Sequence, residues 1–207
     1  MPQCLLCNKP YKKYDVFQNS NLCPNCYDQL EFGYQSFKIN GWEVETIYQY
    51  EDNLRQMLFN LKIKGDFILA RAILSPCVLY LRMKYIGYTI VVTPSTKEAN
   101  QKRGFNHVKA LFEGAGFSVI DGFEKTDDWK QSAKSWAERR HVYEHIRLRF
   151  QPNPRRRYLL VDDIITSGNT LLACAKLLQK AGVKKIKLFA VANNYRTKFE
   201  FLKDKKI

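Results

Sequence analysis

The segment Tyr158–Thr170, YLLVDDIITSGNT, constrains the fold of this chain more than any other. Its first half is a short apolar run, which is typical of a strand buried on both faces of a parallel sheet. Two adjacent carboxylates follow, then a turn of small residues with one glycine, and then apolar residues at helical spacing. The segment therefore predicts a buried strand, a tight turn and the start of a helix.

The predicted turn is suited to a phosphate. Backbone N–H groups at a helix N-terminus are unpaired and carry partial positive charge, and Gly168 lets the backbone approach a ligand closely. The candidate phosphate-binding residues are Thr166, Ser167, Gly168, Asn169 and Thr170. Carboxylates repel a phosphate but accept hydrogen bonds from ribose hydroxyls. Asp162 and Asp163 beside this turn therefore indicate one ligand carrying both groups; the alternative is an ordinary strand–turn–helix joint of another doubly wound fold.

This stretch resembles the signature of the type I phosphoribosyltransferases, which bind phosphoribosyl pyrophosphate. The resemblance implies that Asp162 and Asp163 contact the ribose hydroxyls and that residues 166–170 surround the 5-phosphate. It also implies a pyrophosphate site made by the loop after an early strand and by a basic loop, here Thr93, Pro94, Ser95, Thr96, Lys102 and Arg103. Arg103 could instead be a solvated loop charge. Mg²⁺ would arrive with the diphosphate, held mainly by ligand oxygens and water.

Four cysteines near the start have metal-ligand spacing. Cys4-x2-Cys7 and Cys23-x2-Cys26 are separated by fifteen residues, and two such pairs complete a tetrahedral site for Zn²⁺. A four-sulfur site leaves no position for water, so it would be structural. Two disulfides or four unrelated thiols are the alternatives. We expect a zinc module at residues 1–40 and the phosphoribosyltransferase-like domain at 41–207, with Cys77 and Cys174 in the core.

The charge of the chain favours an anionic partner. Its 34 Lys and Arg exceed its 20 Asp and Glu by 14. The candidate nucleic-acid-binding residues are Arg139, Arg140, Arg147, Arg149, Arg155, Arg156 and Arg157, with Trp129, Trp136 and Tyr143 between or near them. Cations among aromatic rings suit single-stranded nucleic acid, because phosphates meet arginine while bases stack on rings. The alternative is a solvated basic face above core tryptophans.

Periodicity predicts an α/β fold with a mostly parallel, doubly wound sheet. Strands are expected at 44–50, 88–94, 158–165 and 185–192, with helices between them, and residues 146–150 alternate like a strand with one cationic face. Residues 27–43 are interpreted as a polar and aromatic connection. The start of the chain does not resemble a signal peptide and no apolar run is long enough to span a membrane, so a cytosolic location is expected.

Further motifs narrow the resemblance. The four-cysteine module, a Lys62-x2-Gly65 turn, the element Arg103-Gly104-Phe105-Asn106 and the phosphate turn together resemble the ComF competence family across most of residues 4–192. His107 is a departure, since that family more often has glutamine there. The resemblance implies a protein that handles incoming single-stranded DNA during natural transformation, with competence-machinery proteins as further partners. Mg²⁺-dependent phosphoribosyl transfer to an unknown acceptor is the alternative function.

Overall fold

The computed structural model describes residues 1–12, 21–30, 32–95, 100–101, 103–126 and 145–194. The helices in these ranges are α1 (Pro24–Asp28), α2 (Asp52–Lys64), α3 (Phe67–Leu74), α4 (Val78–Lys84), α5 (His107–Gly114) and α6 (Asn169–Lys180). The strands are β1 (Phe32–Ile39), β2 (Trp42–Gln49), β3 (Tyr88–Val92), β4 (Val119–Ile120), β5 (Phe123–Lys125), β6 (Ile146–Leu148), β7 (Arg157–Ile165) and β8 (Lys185–Asn193).

Six strands form one sheet in the order β1-β2-β8-β7-β3-β4. β1 is antiparallel to β2, and the remaining neighbours are parallel. β5 and β6 form a separate antiparallel pair. The mostly parallel α/β sheet predicted from the sequence is confirmed, and β7 lies inside it between β8 and β3.

Apolar layers cover both faces of the sheet. One cluster packs α2, α3, α4 and α5 against the face that carries Leu159 and Val161. The other packs α6 and the β5–β6 pair against the face that carries Leu160. Because successive side chains of a strand point to opposite faces, Asp162 faces the α6 layer and Asp163 faces the layer of α2 and α5.

The helix boundaries follow the capping signals of the sequence. Gly65, with φ 68°, ends α2 in the left-handed conformation. Asp66 caps α3 because its carboxylate accepts a hydrogen bond from the Ile68 N–H at 3.2 Å. Ser75–Cys77 forms a 3₁₀ turn that leads into α4. No helix in the described ranges is both long and apolar enough to cross a bilayer.

The interpretation of residues 27–43 as a connection was wrong. Residues 32–39 form β1, joined to β2 by the two-residue turn Asn40-Gly41, with φ 48° and 83° and Ile39 opposite Trp42. Asn-Gly is the favoured sequence for this turn because both positions need positive φ. The sequence of β1 lacks a regular apolar pattern because β1 is an edge strand that is largely exposed along its length.

The amino-terminal segment packs onto the main core. Cys4, Leu22, Cys26 and Leu30 are buried in the cluster that includes α2–α5. The Asn21 N–H also points to the Ser75 hydroxyl at 3.4 Å. The predicted first unit, residues 1–40, therefore contains a strand of the main sheet and shares apolar contacts with its helices.

Candidate functional site

The turn between β7 and α6 leads directly into the N-terminus of the helix. Gly168 precedes the helix with φ 73° and is buried, and a Cβ there would lie 3.1 Å from Ile39 Cδ1. The Leu172 N–H donates to the Gly168 carbonyl at 2.9 Å, which closes the first helical turn. Thr166 and Ser167 are exposed. The turn thus presents hydroxyls and helix N-terminal donors to solvent, a combination that binds anions.

The acid pair, Asp162 and Asp163, lies next to this turn, just beyond the last residue pair of β3 and β7. β3 ends at Val92, opposite Val161, and the Thr93 N–H donates to the Val161 carbonyl at 3.0 Å. β7 itself continues to Ile165, paired with β8. Asp162 and Asp163 therefore follow immediately after the last β3 pairing, in the crevice at the carboxyl ends of the strands.

Asp163 is held by cations of the same chain. It is 6% exposed, its Oδ2 forms an ion pair with Lys62 Nζ, and His107 Nε2 lies 3.3 Å from the same oxygen. Burial acts to raise its pKa, but the contacts with His107 and Lys62 outweigh burial and hold the pKa well below the usual range. Burial lowers the pKa of the Arg103 guanidinium, and the negative charge of Asp163 acts in the opposite direction.

The surroundings of Asp162 shift its pKa in the opposite direction. The residue as a whole is half-buried, and its Oδ1 accepts a hydrogen bond from the Asp163 N–H at 2.9 Å. Burial and then the charge of Asp163 raise its pKa to about 7, although a hydrogen bond from Thr93 opposes this. Lys125 on β5 interacts with Asp162, while burial lowers the pKa of the lysine. Among the described residues, fewer cationic side chains therefore contact Asp162 than contact Asp163.

Asn106 and His107 connect the loop after β3 to the acid pair. Asn106 caps α5 by accepting from the N–H groups of Val108 and Lys109 at 3.0 and 3.3 Å, and its Nδ2 donates to the Thr93 carbonyl at 3.5 Å. His107 Nδ1 lies 3.4 Å from the Ser95 hydroxyl while its other ring nitrogen faces Asp163. The imidazole therefore bridges the loop and the buried acid.

Three of these partners were not predicted as site residues. Lys62 reaches the acid pair from the end of α2, His107 from the start of α5, and Lys125 from β5. Lys62 and His107 belong to the motifs that carry the family resemblance. They lie about a hundred and about fifty residues before Asp163, and nothing in their sequence positions indicates which acid they contact.

The predicted site residues fall in several places. Thr93, Pro94, Ser95 and Arg103 lie near the acid pair, whereas Thr96, Lys102, Arg139 and Arg140 are outside the described residues, as are Trp129, Trp136 and Tyr143. Arg147 and Arg149 are exposed on or next to β6. Arg155, Arg156 and Arg157 are exposed at the amino end of β7, about 16 Å from Asp162 at the usual rise along a strand.

The four amino-terminal cysteines converge. Their sulfur atoms lie within 4.8 Å of one another, and Cys7 Sγ is 3.8 Å from Cys23 Sγ. Zn–S bonds of about 2.3 Å in a tetrahedron place the sulfurs about 3.8 Å apart, so the cluster fits a structural metal. The Leu5 N–H donates to the Asn21 carbonyl at 2.9 Å, which joins the two cysteine turns. All six cysteines are free, and Cys77 and Cys174 are buried as expected.

The four thiols differ in their electrostatic environment, and burial raises the pKa of Cys23 and of Cys26. Burial acts to raise the pKa of Cys4, but hydrogen bonds from the backbone of Cys7, Cys23 and Leu6 lower it to about 6. Backbone donors of this kind stabilise the thiolate, which is the form that binds metal.

Fold and site together define a protein of the phosphoribosyltransferase fold class. The family described as "Phosphoribosyl transferase domain" matches residues 124–207. Solved structures with a similar arrangement include adenine phosphoribosyltransferase from Leishmania tarentolae, 11% identical, covering 78% of this chain and 95% of that one with a TM-score of 0.44. A hypoxanthine phosphoribosyltransferase from Staphylococcus aureus is 14% identical, covering 62% and 67%, with a TM-score of 0.38.

A closer relationship is found among competence proteins. The chain is 31% identical over 176 residues to the competence protein ComFC of Streptococcus pneumoniae strain R6, covering 82% of this chain and 79% of that protein. The chain belongs to the ComF competence family.

Proposed function

We propose that the chain binds a phosphorylated ribose, with phosphoribosyl pyrophosphate as the model ligand, and handles incoming single-stranded DNA in the cytosol during natural transformation. The observation that supports the pocket most strongly is the half-buried Asp162 beside the open turn at Gly168. In this proposal the 5-phosphate binds residues 166–170, and Asp162 accepts hydrogen bonds from the ribose hydroxyls.

The two acids have different roles in this proposal. Lys62 Nζ and His107 Nε2 both contact Oδ2 of Asp163, so a ribose hydroxyl would meet its other carboxylate oxygen, while His107 connects this acid to the loop after β3. A pyrophosphate group would meet the backbone of Thr93–Thr96 and the side chains of Lys102 and Arg103. Mg²⁺ prefers oxygen ligands and keeps several waters. Asp162, a half-buried residue, provides carboxylate oxygens there, so the site fits an ion that enters with the diphosphate.

The basic surface supports the nucleic-acid half of the proposal. The arginines predicted from the sequence, where the structure describes them, are exposed at β6 and at the amino end of β7, and the chain carries a net charge of +14. Arginine contacts to phosphate release counterions, which makes such binding strongly dependent on salt. Membership in a competence family supports single-stranded DNA, and competence-machinery proteins, as the partners.

Two titrations test the proposal. Labelled single-stranded DNA should bind with a log–log salt dependence whose slope grows by about 0.7 for each phosphate contact. Ribose 5-phosphate should bind in calorimetry and lose that binding in Asp162→Ala. Asp28→Asn, an exposed acid on α1, is the matched control and should bind like the wild type. A weak, salt-independent DNA signal would refute the DNA role, and unchanged sugar-phosphate binding in Asp162→Ala would refute the pocket.

One observation favours phosphoribosyl transfer as a second candidate function. A carboxylate with a pKa of about 7 in a cleft, as at Asp162, is suited to accept a proton near neutral pH. Incubation with phosphoribosyl pyrophosphate, Mg²⁺ and a panel of bases should then release pyrophosphate steadily. Saturable binding with no turnover would leave a ligand site only.

A further inference from the structure

Two turns at the amino ends of parallel strands carry a group of exposed cations. One turn leads into β7, and the other joins α6 to β8. We call this group the amino-end cluster; its members are Arg155, Arg156, Arg157, Lys184 and Lys185. Arg157 begins β7, and Asp162 lies five residues further along the same strand. The amino-end cluster and the acid pair therefore lie at opposite ends of the sheet.

The two turns contact each other and are anchored to the core. Pro154 in the first turn packs on the second, because its Cγ would lie 3.5 Å from a Cβ at Gly182. The Asn153 side chain accepts a hydrogen bond from the Arg155 N–H at 3.0 Å, and the Asn153 N–H donates to the Tyr158 hydroxyl at 2.9 Å. Tyr158 is buried. The backbone that carries the cations is therefore fixed in place.

The strand register brings like charges together. Arg157 is the neighbour of Lys185 in the β7–β8 pairing, and adjacent strands lie about 4.8 Å apart. Neighbouring like charges destabilise a sheet. In the part of the chain that the structure describes, no acidic side chain forms an ion pair with the cluster, whereas Lys187 on β8 pairs with Glu45 at 3.7 Å. The cluster is therefore a concentration of positive charge that the described residues leave uncompensated.

The arginines of the β6 region differ because they have acidic neighbours. Arg147 is opposite Glu124 in the β5–β6 pair. Arg149 Nη1 lies 3.9 Å from Asp121 Oδ2, and its Nε lies 4.0 Å from Glu124 Oε2. These carboxylates offset the positive charge and repel a phosphate. An anionic partner is therefore attracted more strongly to the amino-end cluster than to β6.

Arg157 is already oriented by its surroundings. Its guanidinium carbon lies 5.1 Å from the centroid of the Tyr88 ring. A Cβ at Gly87 would lie 2.5 Å from Arg157 Nη2, so the guanidinium also packs closely against this glycine. A planar guanidinium held in this way can donate two parallel hydrogen bonds to a phosphate with little further loss of side-chain freedom.

The chemistry of the two turns favours a phosphodiester backbone over a lipid bilayer. Surfaces that bind a bilayer use exposed apolar side chains to enter the headgroup region. The ranges 153–157 and 182–185, all of which the structure describes, expose no large apolar side chain. Phosphates of a nucleic-acid strand need only closely spaced cations, and two adjacent basic turns provide them.

We propose that the amino-end cluster binds the phosphate backbone of single-stranded DNA while the sugar phosphate occupies the opposite end of β7. The inference rests on the proposed function and assigns its two ligands to separate surfaces. The strand contacts the cluster through its phosphates, so this contact carries no base-sequence information. Arg157 and Asp162 are about 16 Å apart at the usual rise along a strand, so both ligands bind at the same time.

A charge-removing variant tests the cluster. Arg156→Gln with Lys185→Gln should weaken binding of labelled oligo-dT on the order of tenfold at about 0.1 M salt. The slope of log affinity against log salt should become shallower by about 1.4, because each lost phosphate contact removes about 0.7. Oligo-dC of equal length should lose affinity by the same factor, since both strands have the same backbone. The melting temperature should not fall, because the change removes like-charge repulsion.

Arg55 and Lys64 provide the matched control. Both are exposed on α2, which follows the carboxyl end of β2, far along the sheet from the cluster. Arg55→Gln with Lys64→Gln removes the same charge and should bind oligo-dT like the wild type. Arg147→Gln with Arg149→Gln should weaken binding less than the cluster variant does. An equal or larger loss in the β6 variant would overturn the assignment to the amino end.

A competition experiment tests the separation of the two ligands. Saturating ribose 5-phosphate should leave the affinity for oligo-dT unchanged, and displacement of the strand would overturn the inference. Unchanged oligo-dT affinity in the cluster variant would also overturn it while leaving DNA binding by the wild type intact. Lost binding to phosphatidylserine vesicles without lost DNA binding would assign the cluster to a membrane and overturn it as well. A wild-type protein that binds no DNA would remove the proposed function itself.

Discussion

Two regions of this protein each bring together several groups of one chemical type, and they differ in which cations those groups can meet. Four thiols converge at the amino terminus, and no lysine, arginine or histidine of the described residues is shown paired with them. Two carboxylates converge on β7, where Lys62 and His107 contact one of them and Lys125 interacts with the other. The first cluster is compatible with a structural metal ion, whereas the second is largely neutralised by side chains of the same chain.

The carboxylate region is itself divided by the sheet. On the α2 and α5 face, Oδ2 of Asp163 contacts Lys62 and His107, and these contacts outweigh burial and hold the pKa of Asp163 well below its usual range. On the α6 face, Asp162 is half-buried with its pKa raised to about 7. The two neighbouring acids thus differ in their partners and in the direction of their pKa shifts, and the following predictions test whether the proposed ligand-binding role belongs to Asp162.

The largest effect is expected from removing the metal. Binding of a structural Zn²⁺ is worth on the order of 10 kcal/mol at neutral pH, so a chelator should unfold residues 1–30. Because Leu22, Cys26 and Leu30 share the core of α3, amide exchange in α3 should also accelerate. Native mass spectrometry should detect one zinc ion per chain. Protein free of zinc with unchanged amide exchange would contradict the metal site.

Asp163→Asn should be the most damaging change at the acid pair. It leaves Lys62 without its buried partner, and loss of one member of a buried pair costs about 3–5 kcal/mol. Asp163 has a depressed folded-state pKa, so its stabilisation is present above the unfolded value of about 4 and lost as the pH falls below it. Urea denaturation should therefore show a large difference at pH 7 that shrinks toward pH 3.

The exposed acid Asp28 provides the control for this variant, and Asp28→Asn should change the unfolding free energy by less than about 0.5 kcal/mol. Equal effects of the two substitutions would mean that the Lys62 contact contributes nothing.

Gly168→Ala should have an intermediate effect. A non-glycine residue at φ 73° costs about 1–2 kcal/mol, and the added Cβ lies 3.1 Å from Ile39 Cδ1. Ribose 5-phosphate affinity should fall as well, because the turn that presents the helix N–H groups is displaced. Thermal melting and calorimetry measure the two effects. Stability lost without any change in affinity would show that the turn does not hold the phosphate.

Asp162→Asn should have the smallest effect on stability and the opposite sign. The raised folded-state pKa means that Asp162 favours folding below about pH 4 and that this contribution is lost as the pH rises through about 7. Replacing the charge should then stabilise the protein at pH 8, while sugar-phosphate binding is lost. A variant less stable than the wild type at pH 8 would reverse the assignment of the two acids.

Much of the architecture was predictable because its signals are local. The apolar run before Asp162, the glycine in the turn and the paired cysteines each act within a few residues, so their spacing predicts strand, turn and ligand geometry. Asn40-Gly41 was an equally local signal for the β1–β2 hairpin, but it was overlooked because the exposed edge strand before it lacks an apolar pattern.

The sequence by itself determined the phosphoribosyltransferase-type strand–turn–helix, the convergence of four thiols and, through the two-residue period of a strand, the opposite directions of Asp162 and Asp163. Only the tertiary structure decided which cations meet which acid. Lys62, His107 and Lys125 arrive from three different elements, and the packing of α2 and α5 on one face and of β5 on the other selects their partners. Electrostatic forces act through space, so the pKa difference between two neighbouring carboxylates appears only when the chain is folded.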